Sequence, residues 1–319
     1  MVAFAALSKR TGGVDRLVLR TPAKVNLALE ILGKRADGYH EISTVLQAVD
    51  LFDRLTVEDA EDLSLICSDP DLPTDDGNLV MRAARALATA AGVARGARMA
   101  VDKRIPVAAG LGGGSSDAAA ALMALNSLWG LRWSRARLAE VAVALGMDVP
   151  FFLGRGRARA TGRGERLWPL PGDGGYALVL VNPGFPLSTR EVYGRVPPGW
   201  RAEASGTGAV VSALRMRSAA GLAAALTNHL EDFVAPAVVA IGRMKAALLA
   251  AGGLGAAMSG SGPTVFAVAR SLDHAQQIRR RVNRAGWSCW SVRTVSGPAI
   301  TVSRVATAPA GPARRRKPR

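Results

Sequence analysis

Residues 105–122 of this 319-residue chain read I-P-V-A-A-G-L-G-G-G-S-S-D-A-A-A-A-L. Four glycines (Gly110, Gly112, Gly113, Gly114) run into Ser115, Ser116 and Asp117, and an alanine-rich run follows at once. The first N–H groups of a helix lack internal partners, and the helix dipole is positive at that end. Glycines let backbone approach an anion closely and adopt positive φ. The stretch therefore reads as a phosphate cradle opening a helix. The spacing predicts that helix over 116–128, capped by Ser115 or Ser116 with Asp117 in its first turn. A flexible linker is the plainer alternative, and the dense run of glycine against a capping signal argues against it.

Spacing excludes two familiar cradles. A Walker A loop ends in G-K-[ST], and no lysine lies between Lys103 and Lys245. A Rossmann turn needs G-x-G-x-x-G, whereas Gly110-Leu111-Gly112-Gly113-Gly114-Ser115 closes on serine.

Composition narrows the class of protein further. The length suits two domains of ordinary size, and 49% hydrophobic residues supply their cores. No apolar run reaches the roughly 20 residues that span a bilayer. The N-terminal M-V-A-F-A-A-L-S-K-R carries its charges after the apolar run, unlike a signal peptide. Cys67 and Cys289 are the only cysteines, so a reducing cytoplasm is the expected setting. The net charge of +16 invites a nucleic-acid partner. Against that, aromatic residues make up only 5% of the chain, too few to interleave with bases. Only six of the 41 basic residues are lysines, and an arginine, alanine and glycine bias is what GC-rich coding gives. Anionic small molecules are the expected partners, with no nucleic acid and no membrane.

Alternation predicts strands over 16–32, 45–49, 54–58, 63–67 and 97–103. Asn78 and Gly92 punctuate a helix over 79–91, and a second helix is expected over 134–145. Further strands are expected over 176–181, 256–258, 264–269 and 288–294. Further helices are expected from Ser188 or Thr189 to Tyr193, and over 211–226, 231–251 and 274–285. Residues 197–207 read as a loop. Strands come in runs, which makes the chain α+β, with a first domain ending near 165.

Three other patterns carry candidate chemistry. In Thr21-Pro22-Ala23-Lys24-Val25-Asn26-Leu27, Lys24 and Asn26 share one face of a strand. In Ala36-Asp37-Gly38-Tyr39-His40, a turn displays an aromatic ring and one of three histidines, able to grip a flat base. In Gly146-Met147-Asp148-Val149-Pro150-Phe151-Phe152, an acid stands among apolar neighbours. Taken singly, these read as well as a polar surface strand, a hairpin tip and a helix cap. A second glycine cluster, Ser259-Gly260-Ser261-Gly262-Pro263-Thr264, is either another backbone nest or a tight turn.

Taken together, these patterns resemble the motifs of the GHMP kinases over roughly residues 16 to 295. The family has an N-terminal strand lysine, a P-x-x-x-G-L-G-G/S-S-S loop and a late S-G-S-G-P segment. That resemblance implies a two-domain α+β fold: a domain like the second domain of ribosomal protein S5 over 1–165, and a ferredoxin-like domain over 166–305. Residues 306–319 are left as a basic, disordered tail. It implies transfer of the γ-phosphoryl of ATP, with Mg²⁺, to an alcohol. Pro106, Val107, Ala108, Ala109, Gly110, Leu111, Gly112, Gly113, Gly114, Ser115 and Ser116 would wrap the triphosphate, and Gly260, Ser261 and Gly262 form the third motif. Asp148 would take the hydroxyl proton and Lys24 would keep that carboxylate ionised. The A-D-G-Y-H and G-M-D-V-P-F-F motifs resemble members acting on a cytidyl diphosphate sugar-alcohol of the non-mevalonate isoprenoid route. In those, Asn26 would meet the diol, Tyr39 and His40 the cytosine, and Thr189 and Tyr193 its other side. Metal ligands are not fixed by the resemblance, and a monomer or homodimer is expected. The stretch 197–217 is enlarged relative to the family. The rival readings are another kinase of this superfamily and, on charge alone, an RNA-binding module.

Overall fold

The computed structural model describes residues 15–171, 175–202, 205–283 and 286–306. The expected N-terminal extension and the tail beyond 306 lie outside the described residues. The first half of the chain runs β1 (Asp15–Lys34), β2 (His40–Ala60), β3 (Leu63–Cys67), α1 (Leu79–Ala91), β4 (Gly96–Asp102), α2 (Gly113–Leu128), α3 (Arg135–Leu145), α4 (Val149–Phe152), β5 (Arg157–Gly162) and β6 (Arg166–Pro169). The second half runs β7 (Ala177–Asn182), α5 (Thr189–Gly194), α6 (Gly206–Arg215), α7 (Ala219–Ala225), β8 (Thr227–Asn228), α8 (His229–Val234), α9 (Val239–Ala250), β9 (Gly255–Met258), β10 (Val265–Ala269), α10 (Leu272–Val282), β11 (Ser288–Arg293) and β12 (Thr301–Ala306).

Two sheets divide the chain into the α+β arrangement expected. The larger has the order β12-β1-β2-β4-β3, with β5 on β2, β6 on β5 and a short parallel β8 on β1. The smaller is antiparallel, in the order β11-β7-β10-β9. Its inner strands β7 and β10 are buried throughout, because helices or the first sheet cover both faces.

The sheets correct the expected boundaries. Arg166–Pro169 pairs with β5 in the first sheet, so the chain crosses to the second sheet after Pro169 rather than at 165. The last strand returns to the first sheet, where Ala306 pairs with Asp15 and Thr301 with Arg20. Strands predicted at 45–49 and 54–58 are parts of one strand. The register slips between Pro22 and Ala23, and Asp50 in the resulting bulge accepts the Arg293 N–H at 2.6 Å. Pro22 is tolerated in mid-strand because it stands at that bulge. The helix expected over 211–226 breaks at Ser218, whose hydroxyl accepts from Gly221 N–H and starts α7. The helix expected over 231–251 breaks before α9 at a segment containing Pro236, which cannot continue a helix.

Helix α1 has its predicted bounds, with the Asn78 side chain accepting from Val80 N–H and Gly92 left-handed at the end. Helix α2 starts at Gly113, earlier than predicted, with left-handed Gly112 before it and no side-chain cap. Ser115 and Ser116 are therefore not caps. Ser116 turns inward with the fully buried Ala119 and Ala120, and its hydroxyl has no hydrogen-bond partner.

A charged cluster fastens this helix start to the sheet. The Lys103 ammonium sits between the Asp53 and Asp117 carboxylates, 2.8 Å from the latter. Thr21 donates its hydroxyl to Asp117 at 2.7 Å. Asp53 also accepts the N–H groups of Arg104 and Ile105 at 2.5 and 2.8 Å. Burial, aided by the Asp53 charge and opposed by Lys103, pushes the Asp117 carboxyl up to about 6. An acid raised this way, from an unfolded value of about 3.9, loses stability as pH rises through its folded value. Lys103→Met should cost about 3–5 kcal/mol by stranding two buried carboxylates. The loss should be larger at pH 8 than at pH 5, where Asp117 can protonate. Denaturant midpoints at the two pH values check this, and equal losses would count against it.

Candidate active site

The glycine-rich loop and the Ser259–Thr264 segment meet across the two sheets. Ser259 donates its hydroxyl to Gly110 O at 2.9 Å, and Thr264 N–H donates to Ala109 O at 3.3 Å. A Cβ on Gly110 would lie 2.1 Å from Ser259 O, and its φ is +76°. Only glycine serves there, because the backbones touch and the conformation is left-handed. Leu187 N–H donates to Ala108 O at 3.1 Å, adding a third strut from the second half of the chain.

Beside this junction is a cavity of about 1020 Å³. Pro106, Val107, Ala108, Ala109, Gly110, Gly112, Gly113, Gly114 and Ser115 line it, together with Gly260 and Ser261. Among the predicted phosphate-loop residues, Leu111 and Ser116 do not. Leu111 is buried and gives its carbonyl to Lys24 N–H at 2.9 Å. Gly262 also lies behind the wall, packed on Met258. With no side chain capping α2, the N–H groups of its first turn, on residues that line the cavity, are available to an anion.

The floor of the cavity is charged. Strand β1 is buried continuously from Thr21 to Ile31, so Lys24 enters the cleft only 4% exposed. Such an ammonium needs partners. Its Nζ donates to Asn26 Oδ1 at 2.7 Å and lies 3.4 Å from Asp148 Oδ2. Asn26 is oriented in turn by donating to Thr44 Oγ1 at 2.9 Å. Asp148 precedes α4 but makes no capping bond, leaving its carboxylate for Lys24. The buried, edge-packed rings of Phe151 and Phe152 seat α4 in the first core. A Cβ on Gly112 would come within 3.1 Å of the Lys24 stem, and φ there is +68°, so a side chain would be crowded and strained.

At one end the cavity is aromatic. The His40 and Tyr193 rings are 5.3 Å apart and tilted by 32°. Burial, with Lys34 nearby, holds His40 below its ordinary value, so it is neutral at pH 7. Burial and the Asp148 charge push the Tyr193 phenol up, and it stays protonated. Tyr39 lines the same end, half exposed, under the Arg163 guanidinium. Thr189 shares a hydroxyl hydrogen bond of 3.0 Å with Ser261, tying α5 to the third motif.

The far end is lined by Cys67, Leu72, Pro73, Asn78, Leu79 and Lys103. Sequence reasoning missed this wall and the role of Lys103 and Asp117 behind the loop. A lysine seven positions before the first glycine of the run, in a chain with six lysines, was the available signal.

Comparison with known proteins agrees with this architecture. Residues 78–156 match the GHMP kinases N terminal domain, and residues 210–288 match the GHMP kinases C terminal domain. The chain belongs to the GHMP kinases. A homoserine kinase from Cytophaga hutchinsonii, 21% identical, shares the fold with a TM-score of 0.73 over 93% of this chain and 100% of its own. Within the family, the 4-diphosphocytidyl-2-C-methyl-D-erythritol kinase of Pelotomaculum thermopropionicum is 47% identical over 85% of this chain and 96% of its own. That of Geobacter sulfurreducens is 41% identical over 88% and 100%. A solved 4-(cytidine 5'-diphospho)-2C-methyl-D-erythritol kinase is 37% identical, with a TM-score of 0.76 over 88% of this chain and 100% of its own. The chain thus belongs to the 4-diphosphocytidyl-2-C-methyl-D-erythritol kinases.

Gly110→Ala should separate the two loops and raise KM for the phosphate donor at least tenfold. Steady-state kinetics with varied ATP checks this, and an unchanged KM would remove the loop contact from donor binding.

Proposed function

We propose that this protein transfers the γ-phosphoryl group of ATP to the 2-hydroxyl of 4-diphosphocytidyl-2-C-methyl-D-erythritol, giving the 2-phosphate and ADP. One observation carries the reading. The Lys24–Asp148 pair, 3.4 Å apart, stands in the same cavity as an uncapped helix start and a histidine–tyrosine pair. The triphosphate lies along the Gly110–Ser115 backbone, leaving the Cys67–Lys103 end for the purine. The cytidyl group takes the Tyr39, His40 and Tyr193 end, and Asn26 meets the acceptor diol. The hydroxyl to be phosphorylated then falls at Asp148.

Phosphoryl transfer asks the protein mainly for positioning and charge stabilisation. Asp148 accepts the hydroxyl proton as the oxygen attacks. Lys24, fixed by Asn26, stabilises the charge on the transferring group. Mg²⁺ enters with the nucleotide as MgATP. Among the described residues no group of three His, Cys, Asp or Glu side chains is placed to hold a metal ion, and Asp53 and Asp117 are committed to Lys103. The ion would neutralise charge between the phosphates during transfer.

Neutral His40 offers one donor and one acceptor to the pyrimidine edge. Protonation would replace that acceptor with a second donor. Since its pKa is depressed, the acceptor survives below the ordinary histidine value of about 6.5.

A coupled assay of ADP release, with the cytidyl substrate set against mevalonate and homoserine, tests the reaction. Turnover with the cytidyl substrate alone is expected, and no turnover with any alcohol would sink the reading. Asp148→Asn should lower kcat by at least ~10²-fold while ATP still binds, and near-normal turnover would exclude it as the base. KM for the cytidyl substrate should be flat from pH 9 to 7 and rise in the acid range below the ordinary histidine pKa. Tyr193→Ala should raise that KM and spare the KM for ATP, whereas equal effects on both would remove Tyr193 from the cytidyl end.

A further inference from the structure

The β5–β6 turn reaches over the cleft and places Arg163 with its guanidinium carbon 5.1 Å from the centre of the Tyr39 ring. This is the range in which a cation is held by an aromatic face. Both Arg163 and Tyr39 line the cavity. Tyr39 is 53% exposed, so little else fixes a ring that must present a flat face to a base.

The contact belongs to a braced assembly. Glu41 accepts the Gly162 N–H of the turn at 3.1 Å through one oxygen. Its other oxygen accepts from Arg35 at 2.5 Å. Arg35 also pairs with Asp37 at 3.1 Å, and Asp37 accepts the Tyr39 N–H at 3.1 Å. Glu165 holds the turn from behind, accepting Arg163 N–H at 2.7 Å. One carboxylate thus links the hairpin that carries Tyr39 to the turn that carries Arg163. These bonds hold the two backbone segments that carry the ring and the guanidinium.

We propose that Arg163 is a positioning residue for the acceptor's base: it covers one face of Tyr39 and holds the ring so that the opposite face receives the pyrimidine. This rests on the cytidyl-end reading above. Arginine and lysine are not equivalent over a ring. Lysine keeps the charge but not the flat guanidinium face that stacks on an aromatic ring.

Four variants test it: Tyr39→Ala, Arg163→Ala, Arg163→Lys and the Tyr39→Ala/Arg163→Ala double, each assayed for KM of the cytidyl substrate and of ATP. Arg163→Ala should raise the cytidyl KM about threefold to tenfold and spare the ATP KM, which also reports that the fold is intact. Arg163→Lys should recover only part of the loss. In the Tyr39→Ala background, removing Arg163 should have no further effect, because its role passes through that ring. If Arg163→Ala has the same effect with and without Tyr39, the arginine acts directly on the substrate and the positioning role is overturned. If Tyr39→Ala raises the cytidyl KM but Arg163→Ala does not, the positioning role again fails and the site reading stands. If Tyr39→Ala leaves the cytidyl KM unchanged, the site reading itself fails.

Discussion

Strand β1 contributes to all three hydrophobic cores. Leu17 and Leu19 pack under α1 and α2, Val25 and Leu27 face the second sheet, and Leu29 and Ile31 join the core around α8 to α10. A strand covered on both faces leaves its polar residues no water, so each must find a partner inside. Thr21 finds Asp117, Lys24 finds Asn26 and Asp148, and Glu30 takes the N–H groups of Gly206 and Thr207. The same constraint that joins the two halves therefore places an ammonium and a carboxylate side by side at the cleft.

The cleft follows from the way the two sheets touch. Beside the cleft, contact is made by the Gly110 backbone, which meets both the carbonyl and the hydroxyl of Ser259. That leaves the helix start uncovered while Lys24 passes beneath it. The positive helix end, the ammonium and the neutral aromatic end form a sequence of environments suited in turn to bound phosphate, to a second anionic group and to a flat ring.

Much of this was legible locally. Asn78 and Gly92 mark both ends of α1 by capping chemistry that needs no tertiary context. Lys24 and Asn26 were placed on one face by strand alternation, and Asp148 stood out because an acid among apolar residues requires a reason. What was not legible depends on pairing across distance. Lys103, Asp53 and Asp117 become one cluster only when β2, the end of β4 and α2 converge, and no local period encodes that. Ser116 illustrates the sensitivity of helical phase. Starting α2 at Gly113 turns its hydroxyl from the phosphate side to the interior, although the residue types at the helix start suit a cap. The crossing after Pro169 escaped notice because β6 is short and has exposed residues, with no apolar alternation to assign it to a sheet.

The pairing of Asp15 with Ala306 makes the described chain nearly a closed ring. The first sheet is then the last part of the protein to be completed. During synthesis its edge at β1 stays unpaired until the whole second half has emerged. An exposed edge strand is a template for wrong pairing, and contacts of such long sequence separation form late. Truncation at the C-terminus, even short of any residue in the cleft, would reopen the edge of the strand that carries Lys24.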